Sequence, residues 1–141
     1  MREIKFRGKA IDTGEWVYGT PMVNPDGDSI AMIVTAEKRI SVISVIPKTV
    51  GQYTGLKVKN SVELYKNDVI KYEGINGAID RATVFWHSGF LSWMVDDGKG
   101  KGSISLCDLS TMLTDSDDGF VCDELEVIGN IHDNPELREG K

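Results

Sequence analysis

Side chains that switch between apolar and polar at every second position, interrupted every few residues by glycine, asparagine or proline, commit this chain to short β-strands and tight reversals. The pattern is densest over Val50–Tyr72, VGQYTGLKVKNSVELYKNDVIKY. Val50 to Tyr53 reads as a strand that Thr54-Gly55 closes, because glycine reaches positive φ at no steric cost. Lys59-Asn60-Ser61 turns Leu56-Lys57-Val58 back onto Val62-Glu63-Leu64-Tyr65, and Lys66-Asn67-Asp68 leads from there into Val69-Ile70-Lys71-Tyr72. Asparagine is the non-glycine residue best suited to left-handed geometry, so Asn60 and Asn67 are the expected pivots. The Asp68 carboxylate is placed to accept a nearby backbone N–H, which makes it a turn-former before it is a functional acid.

The same reading extends along the chain. Ile4, Phe6, Gly8 and Ala10 alternate with basic residues as in a half-buried strand. A two-residue Thr13-Gly14 turn predicts Ile11 opposite Trp16 and Ala10 opposite Val17, with Trp16 a core or seam aromatic. Asn24-Pro25-Asp26-Gly27-Asp28 is a turn signal, followed by strands over Ile30–Val34 and Ile40–Ile46, joined near Glu37-Lys38-Arg39 and ended by Pro47. Further on, Ile79–His87 meets Phe90–Val95 across Ser88-Gly89. Pairing His87 with Phe90 sets Trp86 opposite Leu91, Val84 opposite Trp93 and Ala82 opposite Val95, all on one core face with the tryptophans inside. The other face then carries Thr83, Phe85, Ser92 and Met94, with Arg81 near Asp96, a mixed surface open to solvent, a neighbouring lobe or a partner subunit. Ser103–Leu106 suggests a short strand, Cys107–Leu113 one or two helical turns, and Glu124–Ile131 a strand. Asn134-Pro135 supplies an N-cap and a first-turn proline for a short terminal helix. Many short strands and no long amphipathic helix make the fold mainly β.

At 141 residues with a net charge of −6, the chain suits one domain or two small lobes. A chain of this size buries roughly two thirds of the surface exposed on unfolding, so neither metal nor disulfide is needed to hold it. The two cysteines, Cys107 and Cys122, match no zinc or redox spacing and read as small buried hydrophobes. With no hydrophobic leader ahead of Arg2-Glu3-Ile4-Lys5-Phe6-Arg7, the expectation is a reduced, cytoplasmic setting. No apolar run approaches the ~20 residues of a membrane helix. The acidic balance weighs against non-specific duplex binding, which depends on neutralising phosphates.

Met1 to Gly8, Pro47-Lys48-Thr49-Val50-Gly51-Gln52-Tyr53-Thr54-Gly55-Leu56, Tyr65 with Asp68-Val69, Glu124-Leu125-Glu126-Val127-Ile128-Gly129-Asn130-Ile131, and Asn134-Pro135-Glu136-Leu137 form a set of segments spread over both ends and the middle of the chain. Together they resemble the YopX family of bacteriophage and prophage proteins. Ser61 stands where that family usually has a turn glycine, and Lys66-Asn67 where it usually has Glu-Gly. The resemblance implies a small SH3-like barrel or roll over residues 49–141 with a short C-terminal helix, preceded by an N-terminal β-hairpin and meander lobe over 1–48, or one integrated domain. It implies a phage or prophage accessory protein with no settled biochemical role.

No segment carries a convergent catalytic set. Gly98-Lys99-Gly100-Lys101-Gly102 lacks the order and following helix of a P-loop and reads as a hairpin loop. Asp115-Ser116-Asp117-Asp118-Gly119 lacks the ligand spacing of a calcium loop. His87 and His132 sit in no nucleophile or zinc motif. Neither a catalytic residue, a cofactor nor a bound metal is expected. The expected activity is non-enzymatic binding or assembly with a protein partner, either a second copy in a homo-oligomer or a host or phage protein. The candidate surface is Tyr72, Phe85, Phe90, Lys99 and Lys101, on the second face of the Ile79–Val95 hairpin and its loops. The same aromatic and basic residues fit an alternative role as a single-stranded nucleic-acid platform. A metal-assisted hydrolase using Asp96, Asp97 or Asp115 is a further alternative.

Overall fold

In the computed structural model, which describes residues 4–74, 77–89, 91–96, 103–113, 121–122 and 124–137, the chain is mainly β, with two sheets and a small helix near the C-terminus. It divides into two compact units, Met1–Tyr53 and Thr54–Lys141.

In the first unit, β1 (Phe6–Ala10), β2 (Trp16–Val23), β3 (Ile30–Ala36) and the first part of β4 (Arg39–Val58) pair antiparallel in sequence order, and β1 also pairs with β4. Phe6 lies opposite Gly19 and Lys9 opposite Trp16. That is a two-residue slip from the register expected of a Thr13-Gly14 turn. The loop is longer because the Ala10 amide bonds the Glu15 carbonyl (2.9 Å) and Gly14, at φ +71°, returns its own amide to the Ala10 carbonyl (3.0 Å). Trp16 is half-buried on the face it shares with Arg7 and Lys9, whose cationic groups lie 4.5 and 5.9 Å from its ring. The interior face carries Ala10, Met32 and Val45.

Pro47 does not end a strand. Between Arg7, opposite Gly51, and Lys9, opposite Ile46, the single residue Gly8 faces the stretch from Pro47 to Val50, so the ladder bulges where a residue without an N–H costs no bond. Buried Thr49 closes the gap: its hydroxyl accepts the Lys9 amide (2.9 Å) and donates to the Ile46 carbonyl (2.6 Å). Gly55, at φ +92°, likewise kinks β4 without closing it.

The second unit opens with the end of β4, a 3-10 turn over Lys59–Ser61 and β5 (Val62–Tyr65), which pairs back onto β4. Asn60 takes φ +65°, Ser61 +60° and Asn67 +71°, so both expected pivots are left-handed and so is the serine. A five-stranded sheet follows in the order β11 (Glu126–Asn130), β6 (Asp68–Glu73), β7 (Ile79–His87), β8 (Ser92–Asp96), β9 (Ser103–Ser105). Its core face presents Ile70, Ala82, Val84 and Val95 to Leu56, Val58, Leu64, Cys122, Leu125 and two leucines of α1 (Leu106–Leu113). The α1 helix starts where the Ser105 hydroxyl accepts the Asp108 amide (3.1 Å), an N-cap bond. Leu106 and Leu109, three apart, share its buried face. Cys107 is one step round the helix and exposed, so only Cys122 is the buried hydrophobe expected of both. β10 (Val121–Cys122) runs parallel to the end of β4. The terminal Asn134-Pro135 signal yields a single 3-10 turn, Pro135–Leu137.

The β7–β8 hairpin also pairs two residues away from expectation: His87 lies opposite Ser92, Trp86 opposite Trp93 and Val84 opposite Val95. A slip of two preserves the faces, so Val84 and Val95 stay in the core. Trp86, however, is 43% exposed. It sits at the turn end of the hairpin, beside half-buried Trp93 (rings 5.3 Å apart, edge to face), and only Trp93 of the two packs on the core cluster.

Candidate interaction surface

Of the residues picked out by sequence, Tyr72 and Phe85 lie on opposite faces of their sheet. Tyr72 lies opposite Asp80, on the side of β6 that carries Ile70, and packs half-buried against the core cluster. Phe85 lies opposite Met94 on the other side of β7, half-buried, with its ring 6.1 Å from that of His87. Around it that second face is largely covered, since Val69 and Met94 are buried. Lys71, the basic neighbour of Tyr72, pairs with Glu126 at 3.6 Å. Phe90, Lys99 and Lys101 lie outside the described residues.

Of the titratable candidates, Asp68 and His132 meet at one turn, while Asp96 and His87 lie on the β7–β8 hairpin. Asp96 is exposed at the end of β8, and Asp97 and Asp115 lie outside the described residues. Asp68 is buried, and its Oδ2 accepts the Tyr65 amide (2.8 Å). It sits opposite Asn130, whose side chain organises the next turn: Oδ1 accepts the His132 and Asp133 amides (3.0 and 2.9 Å), while Nδ2 donates to Asp133 Oδ2 (3.2 Å). Asn67 Nδ2 lies 3.4 Å from His132 Nε2. The Asp68 and Asn130 side chains bond backbone amides of the adjoining turns, and the Ile131 amide bonds the Asn67 carbonyl, so this cluster fastens the end of β11 to the β5–β6 turn. Among the described residues, no three His, Cys, Asp or Glu side chains converge as metal ligands. No helix there is long and apolar enough to cross a membrane.

A different surface stands out in the first unit. Register places Met22 opposite Ala31, Ala31 opposite Ser44, Ile33 opposite both Thr20 and Val42, and Thr35 opposite Ile40. These residues share one face with Tyr18, Trp16 and Arg7, the reverse of the face that buries Met32 and Val45. On it Ile40 is 72% exposed, Val42 62%, Tyr18 45% and Met22 41%. Scattered apolar residues on a surface are ordinary, but exposed apolar residues gathered on one face of β2 and β4, on either side of β3, are the pattern of a contact surface. Sequence reasoning had the signal, the uncharged run Ile40-Ser41-Val42-Ile43-Ser44-Val45-Ile46, and read it as a plain strand. Alternation alone does not tell which face is left uncovered.

A family described as YopX protein matches residues 5–139. Among solved structures, the crystal structure of protein EF1440 from Enterococcus faecalis is similar at TM-score 0.58 and 21% identity, covering 99% of this chain and 100% of that one. No curated protein matches.

Proposed function

The chain belongs to the YopX family, and from that premise we propose that it is a non-enzymatic accessory module of phage or prophage type that works by binding another macromolecule through the open face of its first unit. The observation that carries this reading is the exposure of Met22 on β2 and of Val42 and Ile40 on β4, on the face opposite the one that buries Met32 and Val45. Apolar surface gains most of its free energy on leaving water, and exposed surface of this kind on folded chains is concentrated at binding sites. The Asp68 carboxylate is engaged by the Tyr65 amide, and among the described residues no three His, Cys, Asp or Glu side chains converge, which supports binding over catalysis, because acid–base chemistry needs its groups within hydrogen-bond reach of a shared reacting atom.

The test is a photo-crosslinking amino acid placed at Met22 or at Val42, in cells that carry the protein naturally, with exposed Thr13 as the control position. Covalent adducts to another macromolecule at both face positions and none at Thr13 are expected. Absence of adducts at both positions sinks the reading.

A further inference from the structure

The exposed face ends at an open strand edge. On the side of β4 away from β3, β1 reaches only as far as Val45, which is opposite Ala10, and the last bond across is from the Ile11 amide to the Ser44 carbonyl (3.0 Å). Ser44 therefore aims its backbone groups away from β3. In an antiparallel ladder this direction alternates residue by residue, so Val42 and Ile40 aim theirs the same way. Among the described residues nothing pairs with them on that side. An unpaired edge of β-branched residues, free of proline and charge, is a template for another strand.

We propose that the occupant of this edge is the same edge of a second copy, joined antiparallel about a twofold axis through Ser41. This deepens the binding reading above, on which it rests. The register follows from which groups are free. Pairing about Ser41 sets Ile40 of each copy against Val42 of the other, and both residues have outward N–H and C=O groups, so two hydrogen-bonded pairs exchange four backbone bonds. Pairing about Val42 would need the Ser44 carbonyl, which Ile11 holds. Pairing about Ile40 would need Lys38, which sits at φ +66° in the β3–β4 turn. In the Ser41 register each exposed Ile40 meets an exposed Val42 on the same face, a self-complementary apolar pair repeated by symmetry. The Glu37-Lys38-Arg39 tip of one copy, with one net positive charge, is brought toward Ile11-Asp12 of the other, where β1 leaves β4, so opposite net charges face each other at both ends of the joint.

The axis makes the test specific. Ser41 faces itself across the joint as a non-hydrogen-bonded pair, with Cα atoms about 4.5 Å apart. Sedimentation of the full-length protein should show a concentration-dependent dimer. Ser41→Lys should weaken it roughly tenfold or more, because two like charges are then directly opposed. Ser41→Asp should weaken it too, and an equimolar mixture of the two variants should restore a heterodimer. Val42→Pro, which deletes one outward N–H and keeps every bond to β3, should be monomeric with an unchanged circular dichroism spectrum. A wild-type monomer at concentrations on the order of 100 μM, well above a micromolar dissociation constant, overturns the proposal. So does a dimer indifferent to Ser41→Lys, or a mixture that fails to recover. A monomer whose Val42 position still crosslinks to some other macromolecule overturns the dimer and leaves the binding function standing.

Discussion

Ser61 holds φ +60° immediately after Asn60 at +65°, so the turn into β5 needs two consecutive left-handed residues and has neither glycine. A Cβ in that region costs roughly 1 kcal/mol, and the resemblance to a family that usually carries glycine here gives the same answer from the other side. Ser61→Gly is therefore expected to raise stability by about 0.5–1 kcal/mol, read as a higher urea midpoint at unchanged slope. Asp26 shows a polar residue acting through its turn. Its carboxylate is held below the usual aspartate range, first by the Ser29 amide, then by the Asp28 amide and the Ser29 hydroxyl. A depressed folded-state pKa means the loop's contribution is present above the ordinary aspartate value and is lost as pH falls through the lower, folded one. The Asp28 and Ser29 amide resonances should move together on acidification, with a midpoint below that of an unstructured aspartate, and Asp26→Asn should abolish the titration. A midpoint at the ordinary value would show that these bonds do not hold in solution. The Asn-Pro-Asp-Gly-Asp run made this turn legible, because the side chains that build it are adjacent in sequence.

Hairpins were legible in their faces and not in their loops. Both the β1–β2 and β7–β8 pairs sit two residues from the expected register, because loop length depends on how the closing residues bond locally, while face assignment depends only on parity. Pro47 misled for a related reason: proline stops a ladder only where its N–H is needed, and Thr49 supplies the missing bond. At the β3–β4 turn, Ala36 pairs with Arg39 across Glu37 and Lys38, both at positive φ (48° and 66°), the geometry for which Asn-Gly is preferred. Replacing Glu37-Lys38 by Asn-Gly should stabilise the protein by about 1 kcal/mol, seen as a rise of about 3–4 °C in Tm. A fall would mean the two side chains make contacts that outweigh their strain. In β2, an added Cβ at Gly19 would be driven into the Ile33 carbonyl oxygen of the neighbouring strand. Gly19→Ala should cost about 2–3 kcal/mol in urea unfolding and disturb the amides of Ile33 and Val34 first, and a neutral effect would place β2 and β3 further apart than they lie here.

Across the molecule, what sequence conveyed best was part of the packed interior of the second unit: Ala82, Val84 and Val95 fall on one face of the β7–β8 hairpin, and the structure buries all three. The exposed apolar face of the first unit was harder to read, since Ile40 and Val42 follow the same alternation as core residues and only the folded structure shows them exposed among the described residues. Trp86 is the mirror case, placed inside by parity and left exposed by its position at the end of the hairpin. Substitution separates these two kinds of apolar residue. Ile70→Ala removes a fully buried side chain of the core cluster, opposite Ala82 and Val127, and should cost about 2–5 kcal/mol through lost transfer and a cavity that the surrounding strands cannot close. Trp86→Ala removes a larger side chain with much of its surface already wet, losing chiefly the edge-on contact with Trp93, for about 1–2 kcal/mol. Unfolding both variants in urea ranks them. Trp86→Ala costing as much as Ile70→Ala would mean that the tryptophan is covered in the working protein, which would make the exposed end of this hairpin a second contact surface.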